Sequence, residues 1–91
     1  MENSYLATKV TFCIQFYEIA KQLGVSYEEL RELFILDPRV NPSHTFVYEE
    51  HPYYQSHCLD KDVLAIADTV SAELLKNVIE FNNKQKKKAG L

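Results

Sequence analysis

The sequence predicts an all-α domain: a long helix, a short helix, an irregular loop with at most one short strand, and a long C-terminal helix. Three observations carry this expectation. Only two glycines and three prolines occur in 91 residues, which leaves few sharp turns for a β-rich fold. Apolar residues recur at helical spacing towards both ends of the chain. Between those segments Ser26, followed three residues later by Glu29, is the capping-box pattern that opens a helix.

The first helix is expected from Ser4 to Leu23, where Leu6, Ala7, Val10, Cys13, Ile14, Tyr17 and Ala20 fall on one side. Asn3 is its expected N-cap and Gly24 its stop. The capping box opens the second helix, through about Leu36, with Val25 and Leu30 available as a hydrophobic staple. "DPRVNPSH" ends it, because each proline disfavours the α region in the residue before it. Residues 37–59 therefore read as a loop, and "TFVYEE" is its most strand-like piece.

From about Lys61 to Lys88 the pattern is helical again, with Val63, Ala67, Val70, Leu74, Val78 and Phe81 on one stripe. One helix of ~27 residues would be ~40 Å long. That exceeds any core the rest of the chain can offer, so the stripe is expected to meet a second copy or another domain. A homodimer through the long helices is the expected arrangement. The closing "KQKKK" suits the negative end of the helix dipole and reads as a solvated terminus.

Composition narrows the function classes. With 46% hydrophobic and 25% charged residues the chain fits one small soluble domain. A net charge of −3 and a pI near 5.5 argue against general nucleic-acid binding. No apolar run is long enough to span a membrane, and the first residues lack a signal-peptide layout. Cys13 and Cys58 are accordingly expected as free cytoplasmic thiols.

The stretch "HPYYQSHCLDKDVLAIA" holds the residues with most chemistry. Cys58 stands just before the expected start of the last helix, with Lys61 one turn on and Asp62 at i+4. A helix N-terminus and a nearby ammonium both favour a thiolate, the form a nucleophile needs. A free cysteine is also a common inert core residue, the reading given to Cys13, and the residues alone leave both open for Cys58. His44, His51, His57 and Cys58 cluster in the same loop and raise a small zinc-binding module as an alternative. Their spacings match neither C-x₂-C nor H-x₃₋₅-H, so no metal ligand is assigned.

Taken together, "NSYLATKV", "LGVSYEEL", "LDPRV", "HCLDKDVLAIA" and "LLKNVIEFNNKQ" resemble, in that order, the central domain of the UDP-glucose/GDP-mannose dehydrogenase family. That family shows N-x-x-x-A in its first long helix, then D-x-R, then a glycine-rich G-F-G-G-x-C-x-x-K-D, and a final helix ending near an N-x-x-Q-like element. The resemblance covers almost the whole chain, as a single domain of residues 1–91 whose flanking nucleotide-binding domains are absent. It implies an NAD-dependent 6-dehydrogenase that oxidises the primary alcohol of a nucleotide sugar to a carboxylate. In that scheme a cysteine captures the aldehyde and later releases the acid from a thioester.

Carried over by position, the resemblance makes Cys58 the nucleophile, Asp62 the aspartate that positions water, and Asn3 the asparagine that contacts the reacting group. Arg39 matches an arginine that reaches the substrate across a dimer, and Lys61 the lysine of K-D, placed on the substrate-binding side with a structural role. Departures are also plain. Tyr53, Tyr54, Gln55 and Ser56 stand where the family has G-F-G-G, and Ile14-Gln15 where it has Asn-Glu. No G-x-G-x-x-G occurs, so NAD is expected to bind mainly to another domain and the chain alone to show no turnover. A non-catalytic helical dimerisation module with a degenerate site is the second alternative.

Overall fold

The computed structural model describes residues 1–91 and contains four helices: α1 (Glu2–Leu23), α2 (Tyr27–Phe34), α3 (His57–Thr69) and α4 (Glu73–Lys88). Helix α1 packs against each of the other three, and α3 and α4 pack against each other. The all-α expectation holds.

Local chemistry sets the first boundaries. Gly24 terminates α1 in the left-handed region (φ 71°, ψ 28°), and the Val25 N–H reaches back to the Ala20 carbonyl at 2.9 Å. A Cβ on Gly24 would touch nothing, so its backbone angle alone calls for glycine. Two residues later Ser26 caps α2, its hydroxyl accepting from the Glu29 N–H at 3.4 Å. At the other end of α1 the expectation needs correction. The helix starts at Glu2 after Met1, and Asn3 lies inside the first turn. Its side-chain amide is used elsewhere, on Asp62.

The connection from α2 to α3 contains no strand. "TFVYEE" closes instead into a tight turn with a single antiparallel bridge between Tyr48 and His51. The connection is fastened to α2 at Thr45, which is fully buried. The Thr45 hydroxyl accepts from Arg31 Nε at 2.7 Å and donates to the Pro42 carbonyl at 2.6 Å. The Tyr27 hydroxyl donates to the Thr45 carbonyl at 2.7 Å, and the Arg31 guanidinium lies 3.7 Å from the centre of the Phe46 ring.

The largest correction concerns the closing helix. The expected helix from Lys61 to Lys88 is two helices, broken between Thr69 and Glu73. Thr69, Val70 and Ser71 all have modest helix propensity, and the Thr69 hydroxyl bonds back to the Ala65 carbonyl at 2.6 Å. Val70 is extended (φ −134°, ψ 165°), which stops α3. The break brings Val63 and Val78 into one buried cluster with Ala7, Tyr54 and Leu59. Leu6, Val10, Leu75 and Ile79 pack around that cluster. Val70 and Leu74, in the middle of the expected stripe, are left at the corner and are 57% and 66% exposed. The first turn of α3 also begins earlier than expected, at His57, so Cys58 is within the helix rather than before it.

This placement makes the end and the middle of the stripe unequal. Val63→Ala should lower the stability of the fold by about 2 kcal/mol, through lost burial and the cavity left behind. Val70→Ala, at the exposed corner, should change it by less than about 0.5 kcal/mol. Urea unfolding followed by circular dichroism measures both, and equal losses at the two positions would contradict the break.

Candidate functional site

The chemistry-bearing residues gather at the start of α3. Ser56 caps this helix from an extended backbone (φ −143°, ψ 135°), its hydroxyl facing the Leu59 N–H at 3.5 Å. The Asp60 carboxylate returns to accept from the Ser56 N–H at 3.1 Å, so the cap is closed from both sides. Cys58 is held in this first turn, where unpaired backbone N–H groups give partial positive charge, and it is exposed. Asp62 follows one turn later on the same side.

Across from α3 stands the first turn of α1. The Asn3 Nδ2 donates to Asp62 Oδ2 at 2.7 Å, joining residues 59 positions apart. Cys58, Asp62 and Asn3 therefore share one edge of the molecule. Lys61 is exposed on α3 and makes no ion pair. Arg39 is not brought to this edge. It forms a two-pronged pair with Asp37, Nε to Oδ1 at 3.0 Å and Nη2 to Oδ2 at 2.7 Å. The guanidinium and the Arg39 N–H together hold the Asp37 carboxyl below its usual range. Arg39 lines a cavity of about 260 Å³ with Lys9, Phe34 and Asn41, and neither Cys58 nor Asp62 reaches it.

The histidines do not converge with Cys58. His51 bonds the Tyr53 hydroxyl at 3.1 Å through Nδ1, and His44 is paired with Ser43. No group of three or more His, Cys, Asp or Glu side chains is placed to hold a metal ion, so the zinc alternative finds no support. Cys13 is 2% exposed within α1. Burial, together with a hydrogen bond to Cys13, pushes the Tyr27 phenol well above its usual range.

Two polar residues whose roles the sequence reading missed support the segment ahead of Cys58. Asn82 and Gln85, both 2% exposed, lie on the inner face of α4. The Asn82 amide pairs with the backbone of Tyr54 in both directions, accepting from its N–H at 2.8 Å and donating to its carbonyl at 3.0 Å. The Gln85 Nε2 donates to the Pro52 carbonyl at 3.1 Å and to Glu18 Oε1 at 3.2 Å. Lys86 stands 3.6 Å from the Asp60 carboxylate that closes the α3 cap. Burial and the Asp60 charge push the Tyr54 phenol up to about 12. The available signal was the pair of amides one turn apart in "FNNKQ", which fits one helix face.

Residues 1–84 match the UDP-glucose/GDP-mannose dehydrogenase family, central domain. The chain is 28% identical to a UDP-glucose 6-dehydrogenase of Rickettsia prowazekii over 87 residues, 90% of this chain and 19% of that protein. It is 33% identical to a GDP-mannose 6-dehydrogenase of Azotobacter vinelandii over 92 aligned residues, 96% of this chain and 21% of that protein. A UDP-glucose 6-dehydrogenase of Rickettsia felis is 30% identical over 88 residues, 91% of this chain and 19% of that protein. The chain thus spans about a fifth of the length of the curated relatives it matches. No solved structure matches it.

The two thiols should be distinguishable by access alone. Iodoacetamide should label Cys58 in the folded chain at least about tenfold faster than Cys13, and unfolding should remove most of that difference. Mass spectrometry of quenched digests gives both rates. Equal labelling in the folded state would contradict the exposed first turn of α3, and a native disulfide would contradict the placement of both helices.

Proposed function

The chain belongs to the UDP-glucose/GDP-mannose dehydrogenase family, and on that premise we propose that it is the part of a nucleotide-sugar 6-dehydrogenase that supplies the nucleophile. The observation that carries this reading is the Asn3–Asp62 hydrogen bond beside Cys58 at the mouth of α3. Sequence-distant groups meet where a carbonyl carbon can approach an exposed sulfur.

In this reading the Cys58 thiolate adds to the carbonyl carbon of a 6-aldehyde, forming a C–S bond while the oxygen takes the negative charge and then a proton. Donors near that oxygen are the second N–H of the Asn3 amide, whose first is held by Asp62, and the free N–H groups of the α3 first turn. After oxidation at that carbon the sulfur holds an acyl group, which water cleaves to the carboxylic acid and the free thiol. Asp62 orients that water through Oδ1, a reading supported by Asn3 occupying Oδ2 and leaving Oδ1 as an acceptor. NAD would supply the oxidation. Nothing in this chain fits a dinucleotide, because it has neither a parallel sheet nor a glycine-rich strand-to-helix turn.

Homodimer formation is part of the same proposal. Exposed Val70 and Leu74 at the α3–α4 corner, and Tyr5, Phe12 and Phe16 along α1, provide apolar surface for a second copy. Arg39, displaced from Cys58 in its own chain, is then available to the substrate held by the partner. The second reading, a dimerisation module without chemistry, is favoured by Tyr53, Gln55 and Ser56 in place of the three glycines seen in the family.

A graft separates the two readings. Residues 1–91 replace the matching stretch of the Azotobacter vinelandii GDP-mannose 6-dehydrogenase, and turnover is assayed with GDP-mannose and UDP-glucose. NAD reduction that Cys58→Ala lowers by about 10³-fold or more supports the nucleophile. A graft that folds and dimerises without turnover supports the second reading.

Leu74→Glu tests the assembly separately. At a dimer interface the unpaired charge would cost several kcal/mol, yet the exposed position leaves the monomer fold intact. Sedimentation should show the substituted chain as a monomer at concentrations where the parent is a dimer. A monomeric parent chain at high micromolar concentration would refute the dimer.

A further inference from the structure

We propose that Asn82 and Gln85 are positioning residues for Cys58: the polar face of α4 fixes the segment that delivers this thiol to the first turn of α3. The inference rests on the reading of Cys58 as the nucleophile. Residues 52–56 contain no regular structure, so their backbone groups need partners from outside the segment. Helix α4 provides them in order. Gln85 takes the Pro52 carbonyl, Asn82 takes both backbone groups of Tyr54, and Lys86 stands beside the Asp60 carboxylate that holds the Ser56 N–H.

These contacts come from positions i, i+3 and i+4 of one helix, so a rigid row of donors and acceptors reads out the path of an irregular segment. The Asn82 pair imitates a sheet neighbour: one side-chain amide satisfies one residue's N–H and carbonyl together. Because Asn82 and Gln85 are buried, both contacts are shielded from competing water. Gln85 also bonds Glu18 of α1, so the helix that carries Asn3 is tied to the same row. Two groups of the candidate site, Cys58 on α3 and Asn3 on α1, are thereby referred to a common frame. Tyr53, Gln55 and Ser56, where the family has glycines, leave that frame as the means of fixing the segment's path.

The test uses the 91-residue chain and needs no substrate, so it can fail independently of the dehydrogenase reading. Amide hydrogen exchange is measured by NMR in the parent chain and in Asn82→Ala, Asn82→Asp and Gln85→Ala. A nitroxide attached to Cys58 reports local order by its spectral line shape. Asn82→Ala should speed exchange of the Tyr54 amide about tenfold or more and should narrow the nitroxide lines, while α1 amides stay within about twofold. Asn82→Asp keeps an acceptor for the Tyr54 N–H and should retain most of the protection there. Gln85→Ala should loosen the nitroxide in the same direction. Unchanged Tyr54 exchange in Asn82→Ala would overturn the proposal. So would an equal rise at every amide, which would mark Asn82 as a residue of general packing. Local loosening at Tyr54 with an unaltered nitroxide at Cys58 would overturn it too, because the segment would then be held without positioning the thiol.

Discussion

Everything in this small domain depends on the chain reversing direction between Val63 and Val78. A chain of this length has one modest core, and a continuous helix would carry half of its apolar stripe away from it. Breaking at Val70 lets both halves of the stripe reach the same side of α1. The cost is concentrated at the corner, where Val70 and Leu74 remain in water. The same reversal brings the polar face of α4 alongside the residues that precede Cys58. Core formation and the support of the candidate site are one event.

The site is assembled from elements that are individually simple. A serine cap with a returning aspartate fixes the start of α3, and helical spacing places Asp62 one turn beyond Cys58. The contact with Asn3 requires the tertiary fold, and it couples the two ends of a sequence separation that covers most of the chain. Arg39 shows the opposite behaviour. Its strongest partner is two residues away, so a local pair settles its position in the isolated chain. A guanidinium that is nearly 90% exposed and paired with an equally local carboxylate gains little stability from that pair.

Much of the fold was legible because it rests on short-range rules. The Gly24 stop, the Ser26 cap and the all-helical class follow from backbone preference and the bonding of one or two side chains. The single closing helix was misread because periodicity continues across the break: Val63, Val70, Leu74 and Val78 keep helical spacing although Val70 is extended. What decides there is a weak run of Thr69, Val70 and Ser71 against the gain of burying both ends, a competition that spacing does not register. The expected cap at Asn3 failed for a related reason, since a partner from α3 outbids the local one. That Asn3 and Asp62 belong beside one another was legible only through family resemblance. The roles of Asn82 and Gln85 were not legible, because buried amides on a charged helix look like surface until their partners are known.

The buried Thr45 divides the connection between α2 and α3 into two independently tethered spans. Residues 35–44 are closed by the contacts to α2, and residues 46–51 by the contacts at Thr45 and at Pro52. Closing a loop costs only about 0.6 kcal/mol more for each doubling of its length, so each span can grow or shrink with little penalty. Changes of length in the exposed turn between Tyr48 and His51 therefore stay within their own span. The outline of the molecule around the site can therefore change while the path from Pro52 to Cys58 keeps its own anchors on α4.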